Sequence, residues 1–142
     1  MRVEHRQTAY EVRCEWGEHG VLMLARECAV VVIVDVLSFC TAVDVAVGRG
    51  ARVLPQRWRD PDAAREAAAH GAVPAGRRDG AGPSLRPSSL LDLGEGTVLA
   101  LPSPNGATLC AAAAHHDAVV LAGCVRNATA VATAAQAAGG PV

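Results

Sequence analysis

The chain has 142 residues, a formal net charge of −1 and only 3% aromatic residues. That length suits one domain with a real core, packed from Val, Leu and Ala rather than from rings. The charge balance gives no footprint for nucleic acid, no apolar run reaches membrane-spanning length, and Met1-Arg2-Val3-Glu4-His5 lacks the apolar stretch of a signal peptide.

In chain order, residues 11–16 read as a first strand and 18–26 as a short helix. Residues 29–36 follow, where Val30-Val31-Val32-Ile33-Val34 is apolar at every position and ends on Asp35. Such a run fits a strand covered on both faces. A helix over about 41–47 stops at Gly48 and Gly50. Residues 51–54 make a short strand. Asp60-Pro61-Asp62 then opens a helix through Ala69, with Asp60 as N-cap and Gly71 as the stop. Residues 72–75 read as a short strand and 76–87, rich in Gly, Pro, Arg and Ser, as a loop. A strand (97–101), a helix (105–115), a strand (118–123) and a helix (127–138) complete the pattern, which Gly139-Gly140 closes. Repeated strand–helix units predict a single α/β domain over residues 1–142. The expected sheet is mainly parallel or mixed, with residues 30–35, 97–101 and 118–123 as neighbouring interior strands. The rhythm calls for a further strand after Val142, so the expectation is the N-terminal portion of a longer protein.

All thirteen basic residues are arginine. Without lysine, P-loop hydrolysis, Schiff-base chemistry and receiver-type phosphorylation are excluded. Leu37 stands where haloacid-dehalogenase-type phosphatases need a second aspartate. Cysteine phosphatases need an arginine at a fixed distance after the nucleophile; Gly20, Val34, Ala46, His116 and Ala130 occupy those positions. The five cysteines form no Cys-x-x-Cys pair and read as reduced thiols of a cytoplasmic protein.

Three strand ends carry polar groups ahead of a helix. The first is Asp35 with Ser38, Cys40 and Thr41. The second is Pro102-Ser103-Pro104-Asn105-Gly106, and the third Cys124-Val125-Arg126-Asn127. Each offers free N–H groups and the positive end of a helix dipole, and parallel strands bring them to one edge. Such an edge suits an anion, and Gly106 would let a ligand approach the backbone. Taken singly, Ser103, Asn105 and Asn127 are ordinary caps. A carboxylate such as Asp35 at a buried strand end needs a partner or holds a metal. Arg77, Arg78 and Arg86 share their loop with Ser84, Ser88 and Ser89, a composition suited to an oxyanion or simply to a solvated surface. His70 and His115-His116 sit at helix ends, where a cation suits the dipole.

The segments VVIVDVLSFCTAV, SLRPSSL, LPSPNGATL and AGCVRNATAVA occur in this order and at similar spacing in the 2-phosphosulfolactate phosphatase family, which the chain resembles from about residue 28 onward. The resemblance implies a three-layer α/β/α fold and a Mg²⁺-dependent phosphatase acting on 2-phospho-3-sulfolactate, a step toward coenzyme M. It implies Asp35, Asn105 and Asn127 as catalytic residues, with Asp35 also the metal ligand. From the strand ends and the arginine loop themselves, the residues expected to meet substrate are Ser38, Thr41, Arg77, Arg78, Arg86, Ser88, Ser103, Gly106 and Cys124. Ser38 and Phe39 replace an arginine and an alanine common in the family. The family also continues into a C-terminal part with an acidic Glu-Asp motif. The expected partner is therefore a small anionic phosphate ester, not nucleic acid or a membrane, with a homo-oligomer left open. The rival expectation is a non-catalytic organic-anion-binding or regulatory module, or an inactive fragment.

Overall fold

The computed structural model describes residues 6–142, and the signal-peptide reading of residues 1–5 lies outside them. Helix and strand alternate: α1 (Gly17–Leu24), β1 (Val30–Ile33), α2 (Phe39–Gly48), β2 (Arg52–Gln56), α3 (Pro61–Ala69), β3 (Val73–Pro74), β4 (Val98–Pro102), α4 (Gly106–Ala114), β5 (Val119–Ala122) and α5 (Ala128–Ala138). Short 3₁₀ turns lie at Pro87–Leu90 and Val125–Asn127. Asp60 caps α3 as its sequence dictates, its carboxylate accepting the Ala63 N–H at 2.8 Å.

The fold is α/β, and the strand pairs among the described residues are all parallel. The strands divide between two sheets. In one, β1 lies beside β5, with Val30 opposite Val119 and Ile33 opposite Ala122. In the other, β4 runs between β2 and β3. The expected trio of neighbours is thus corrected: residues 30–35 and 118–123 are adjacent, but 97–101 belong to the second sheet. The reason is burial. Leu99, Ala100 and Leu101 are fully buried, so β4 takes the covered centre, and the short β2 and β3 complete its backbone pairing.

Residues 11–16 are not a strand. The alternate apolar residues Val12 and Trp16 are 76% and 89% exposed, so nothing covers that face of the segment, and Gly17, at φ +68°, turns it into α1. Glu11 and Arg13 instead bracket the chain end. The Val142 N–H donates to the Glu11 carbonyl and the Arg13 N–H to the Val142 carbonyl, both at 2.8 Å.

One apolar cluster joins the two sheets. Ile33 from β1, Phe39 and Ala42 from α2, Leu99 and Leu101 from β4, and Ala107 from α4 all belong to it. Phe39, the single phenylalanine, is 1% exposed, and burial of such a ring contributes about 1.5–3 kcal/mol. Val31 also packs on this cluster, whereas Val32 and Val34 line a cavity with Val131, Ala132 and Ala135 of α5. This alternation sets the core and α5 on opposite faces of the β1–β5 sheet.

Candidate functional site

Asp35 follows β1 directly and is half-buried. The turn it opens is stapled by Cys40. The Cys40 thiol donates to the Ile33 carbonyl at 3.0 Å and accepts the Asp35 N–H at 3.3 Å, while the Cys40 N–H donates to the Asp35 carbonyl at 3.1 Å. Burial pushes this thiol up from its ordinary pKa, so it stays protonated and able to donate.

The second strand end meets the first at α4. The Gly106 N–H donates to Asp35 Oδ2 at 2.9 Å and to Ser103 Oγ at 3.1 Å. A Cβ on Gly106 would stand 2.2 Å from Phe39 Cδ1 and 2.8 Å from Asp35 Oδ2. Gly106 thus spends its N–H on Asp35 and its open side on the Phe39 ring. The following N–H groups, of Ala107 and Thr108, have no acceptor among the described residues, as the first turn of a helix leads one to expect. Asn105 precedes them, exposed, with no capping bond from its side chain. The Thr108 hydroxyl donates back to the Pro104 carbonyl at 2.7 Å.

The arginine loop packs over the Asp35 turn. Ser38 Oγ donates to the Leu85 carbonyl, and the Arg78 guanidinium donates to the Leu37 carbonyl at 3.4 Å. Arg86 is used inside the loop, donating to the carbonyls of Arg78 and Gly80 at 3.0 and 3.3 Å. Arg77 lies outside and pairs with Asp79 at 3.2 Å. Ser88 is exposed in the 3₁₀ turn, and Thr41 is half-buried in the first turn of α2.

The third strand end is held against α2 by Arg126, whose Nε donates to Asp44 at 2.9 Å. Its own amide is committed locally. Asn127 Oδ1 accepts the Cys124 N–H at 2.8 Å, and Nδ2 donates to the Ala122 carbonyl at 3.0 Å. Cys124 is buried and within electrostatic reach of Cys40. Cys110, on α4, has its thiol pushed up to about 11 by burial, with Cys40 and Asp35 adding to the rise.

Two residues to which the sequence reading assigned no role, Cys40, named at the first strand end, and Phe39, shape this edge. The signal for Cys40 is its place one turn past Asp35, within reach of a strand-end carbonyl. Phe39 carries only the hint of being the single phenylalanine.

For a divalent cation the donor set is small. Among the described residues no group of three His, Cys, Asp or Glu comes together, and Asp35 already receives Gly106 on one oxygen. That chemistry fits no stand-alone cage. It fits Mg²⁺ held by one carboxylate, with waters and substrate phosphate oxygens completing the shell. No described helix is long and apolar enough to cross a membrane. Comparisons with protein-family models, curated proteins and solved structures found no match to this chain.

Proposed function

We propose that the chain is a Mg²⁺-dependent phosphatase that binds a small phosphorylated organic acid at the edge formed by Asp35, Ser103–Thr108 and Arg78, and hydrolyses its ester. The supporting observation is the Asp35–Gly106 contact, which unites the two turns whose sequences resemble the 2-phosphosulfolactate phosphatases. Asp35 is the cation ligand through its second carboxylate oxygen. The free N–H groups of Ala107 and Thr108, the Asn105 amide and the Arg78 fork receive the anionic ends of the substrate. Bound Mg²⁺ supplies charge neutralisation and polarisation of the phosphoryl group. Asn127 orders its own turn and acts through position. The substrate class is a 2-phosphosulfolactate-like acid with two anionic ends, and the five free cysteines suit the cytoplasm.

A second reading, an anion-binding module without turnover, is favoured by the single carboxylate and the absence of a three-residue metal cluster among the described residues. Phosphate release from a panel of phosphorylated hydroxy acids, with and without Mg²⁺, separates the two. Mg²⁺-dependent release that Asp35→Asn abolishes supports the phosphatase. Binding of the same acids without release supports the module, and neither binding nor release rejects both.

A further inference from the structure

We infer that the cavity between α3 and the β2–β4–β3 sheet is a binding site for a free α-amino acid with a compact apolar side chain. Strand alternation fixes the face on which it lies. Leu99 and Leu101 of β4 belong to the core cluster, whereas Ala100 and Pro102 line the cavity on the opposite face. A parallel sheet normally has both faces covered by helices. Here the covering helix, α3, offers only Ala63, Ala64 and Ala67, and about 420 Å³ is left between it and the strands. That volume falls in the range of small-ligand sites, about 300–1,000 Å³. Asp35, Ser103 and Gly106 do not line it, so it is a different place from the phosphate-ester edge.

Gln56, Arg59 and Asp60 supply the polar groups of this lining. Gln56, at the end of β2, is only 7% exposed. Two acceptors orient its amide, Nε2 donating to the Ala63 carbonyl at 2.6 Å and to the Glu66 carboxylate at 3.2 Å. Its Oε1 receives no donor among the described residues, although an oxygen this deep ordinarily accepts a hydrogen bond. The atom is not sealed in. Among the described residues the sealed side-chain atom without a partner is His116 Nε2, so Gln56 Oε1 opens on the cavity that Gln56 lines. Arg59 ties the loop before α3 to the end of β3, its Nη2 donating to the Gly76 carbonyl. No carboxylate pairs with Arg59 among the described residues. Asp60 gives Oδ1 to the Ala63 N–H at 2.8 Å, and its Oδ2 has no donor among the described residues.

One cation, one carboxylate and one neutral acceptor, set in walls of alanine and proline, match a zwitterion. Its carboxylate takes the unspent N–H groups of the Arg59 guanidinium. Its ammonium donates to Gln56 Oε1 and Asp60 Oδ2, and its side chain rests on Pro61, Pro74 and Pro102. A phosphate ester or a dicarboxylate would bring a second negative charge toward Asp60 with no second cation in the lining to meet it.

The test titrates the full chain, its alanine methyl groups isotope-labelled for NMR, with L-leucine, isoamylamine and isocaproate. The two analogues keep the leucine side chain and lack its carboxylate or its ammonium group. Expected with L-leucine are saturable shifts of the Ala63, Ala67 and Ala100 methyls, at a Kd of about 1 mM or tighter. Either analogue should bind at least about tenfold more weakly, having lost one charge-assisted contact. Arg59→Gln should remove the advantage of L-leucine over isoamylamine, and Ala64→Leu should fill the cavity and abolish binding. Both positions are exposed, and the unchanged Ala42 and Ala46 methyl signals of the core confirm that each variant is folded. The absence of saturable shifts overturns the inference, as does equal binding of L-leucine and its analogues. So do shifts centred on Ala107 beside the Asp35 edge, or L-leucine binding that survives both substitutions.

Discussion

The Asp35 carboxylate and the Gly106 N–H meet at 2.9 Å across 71 positions of sequence, and this contact connects the end of the β1–β5 sheet to the helix that leaves β4. A charged acceptor on a helix N-terminus satisfies an otherwise orphaned donor and complements the dipole. Asp35→Ala should therefore cost about 1–3 kcal/mol of stability. Asp35→Asn keeps an acceptor oxygen and should cost less. Denaturant titration of the three proteins checks the order. Should Asp35→Asn keep full phosphate release, Asp35 would be a tie between sheets and nothing more.

Gly106→Ala should damage the fold before it touches ligand binding. Its new Cβ would clash with the Cδ1 and Cγ atoms of the Phe39 ring, and overpacking of this kind costs about 1–3 kcal/mol or more. Phe39→Leu in the same chain should return part of that loss. A double-mutant cycle on thermal midpoints measures the coupling, and strict additivity would show that the two residues do not compete for this space.

Mg²⁺ alone should leave the melting temperature unchanged at millimolar concentration, because one carboxylate holds it poorly. Mg²⁺ together with a phosphorylated hydroxy acid should raise it, since each completes the other's shell. A shift from the metal alone would mean that the ion has ligands beyond Asp35.

Cys110 carries a pH prediction. Its folded pKa, raised from 9.0 to about 11 mainly by burial, means that the folded chain holds this proton more tightly than the unfolded one. The stability it contributes is whole below pH 9 and is lost as pH rises through about 11. Cys110→Ala should flatten that alkaline decline, measured by urea titrations across the window. At neutral pH the exposed Cys14 should be alkylated well before Cys40 and Cys110.

Much of the fold was legible because its signals are local. The Asp60 cap, the glycine stops and the apolar run into Asp35 each act within a few residues, and the helices and strands lie close to where those signals put them. Sheet membership was not legible. Residues 30–33, 98–102 and 119–122 all read as buried strands, and nothing local says which of them pair. At the site, sequence brought Asp35, Ser103 and Gly106 to one edge. It did not show that Asn127 and Arg86 spend their polar atoms inside their own turns, because self-capping and ligand binding draw on the same residue types.

The pairing of Val30–Ile33 with Val119–Ala122 also bears on how the chain is made. β1 leaves the ribosome early, yet its partner strand is synthesised only after nearly all of the intervening sequence. During that interval five consecutive β-branched residues, Val30 to Val34, have no ladder to join, the circumstance in which nascent chains self-associate. Efficient production should therefore depend on chaperone capacity and translation speed more than on the final stability of the fold.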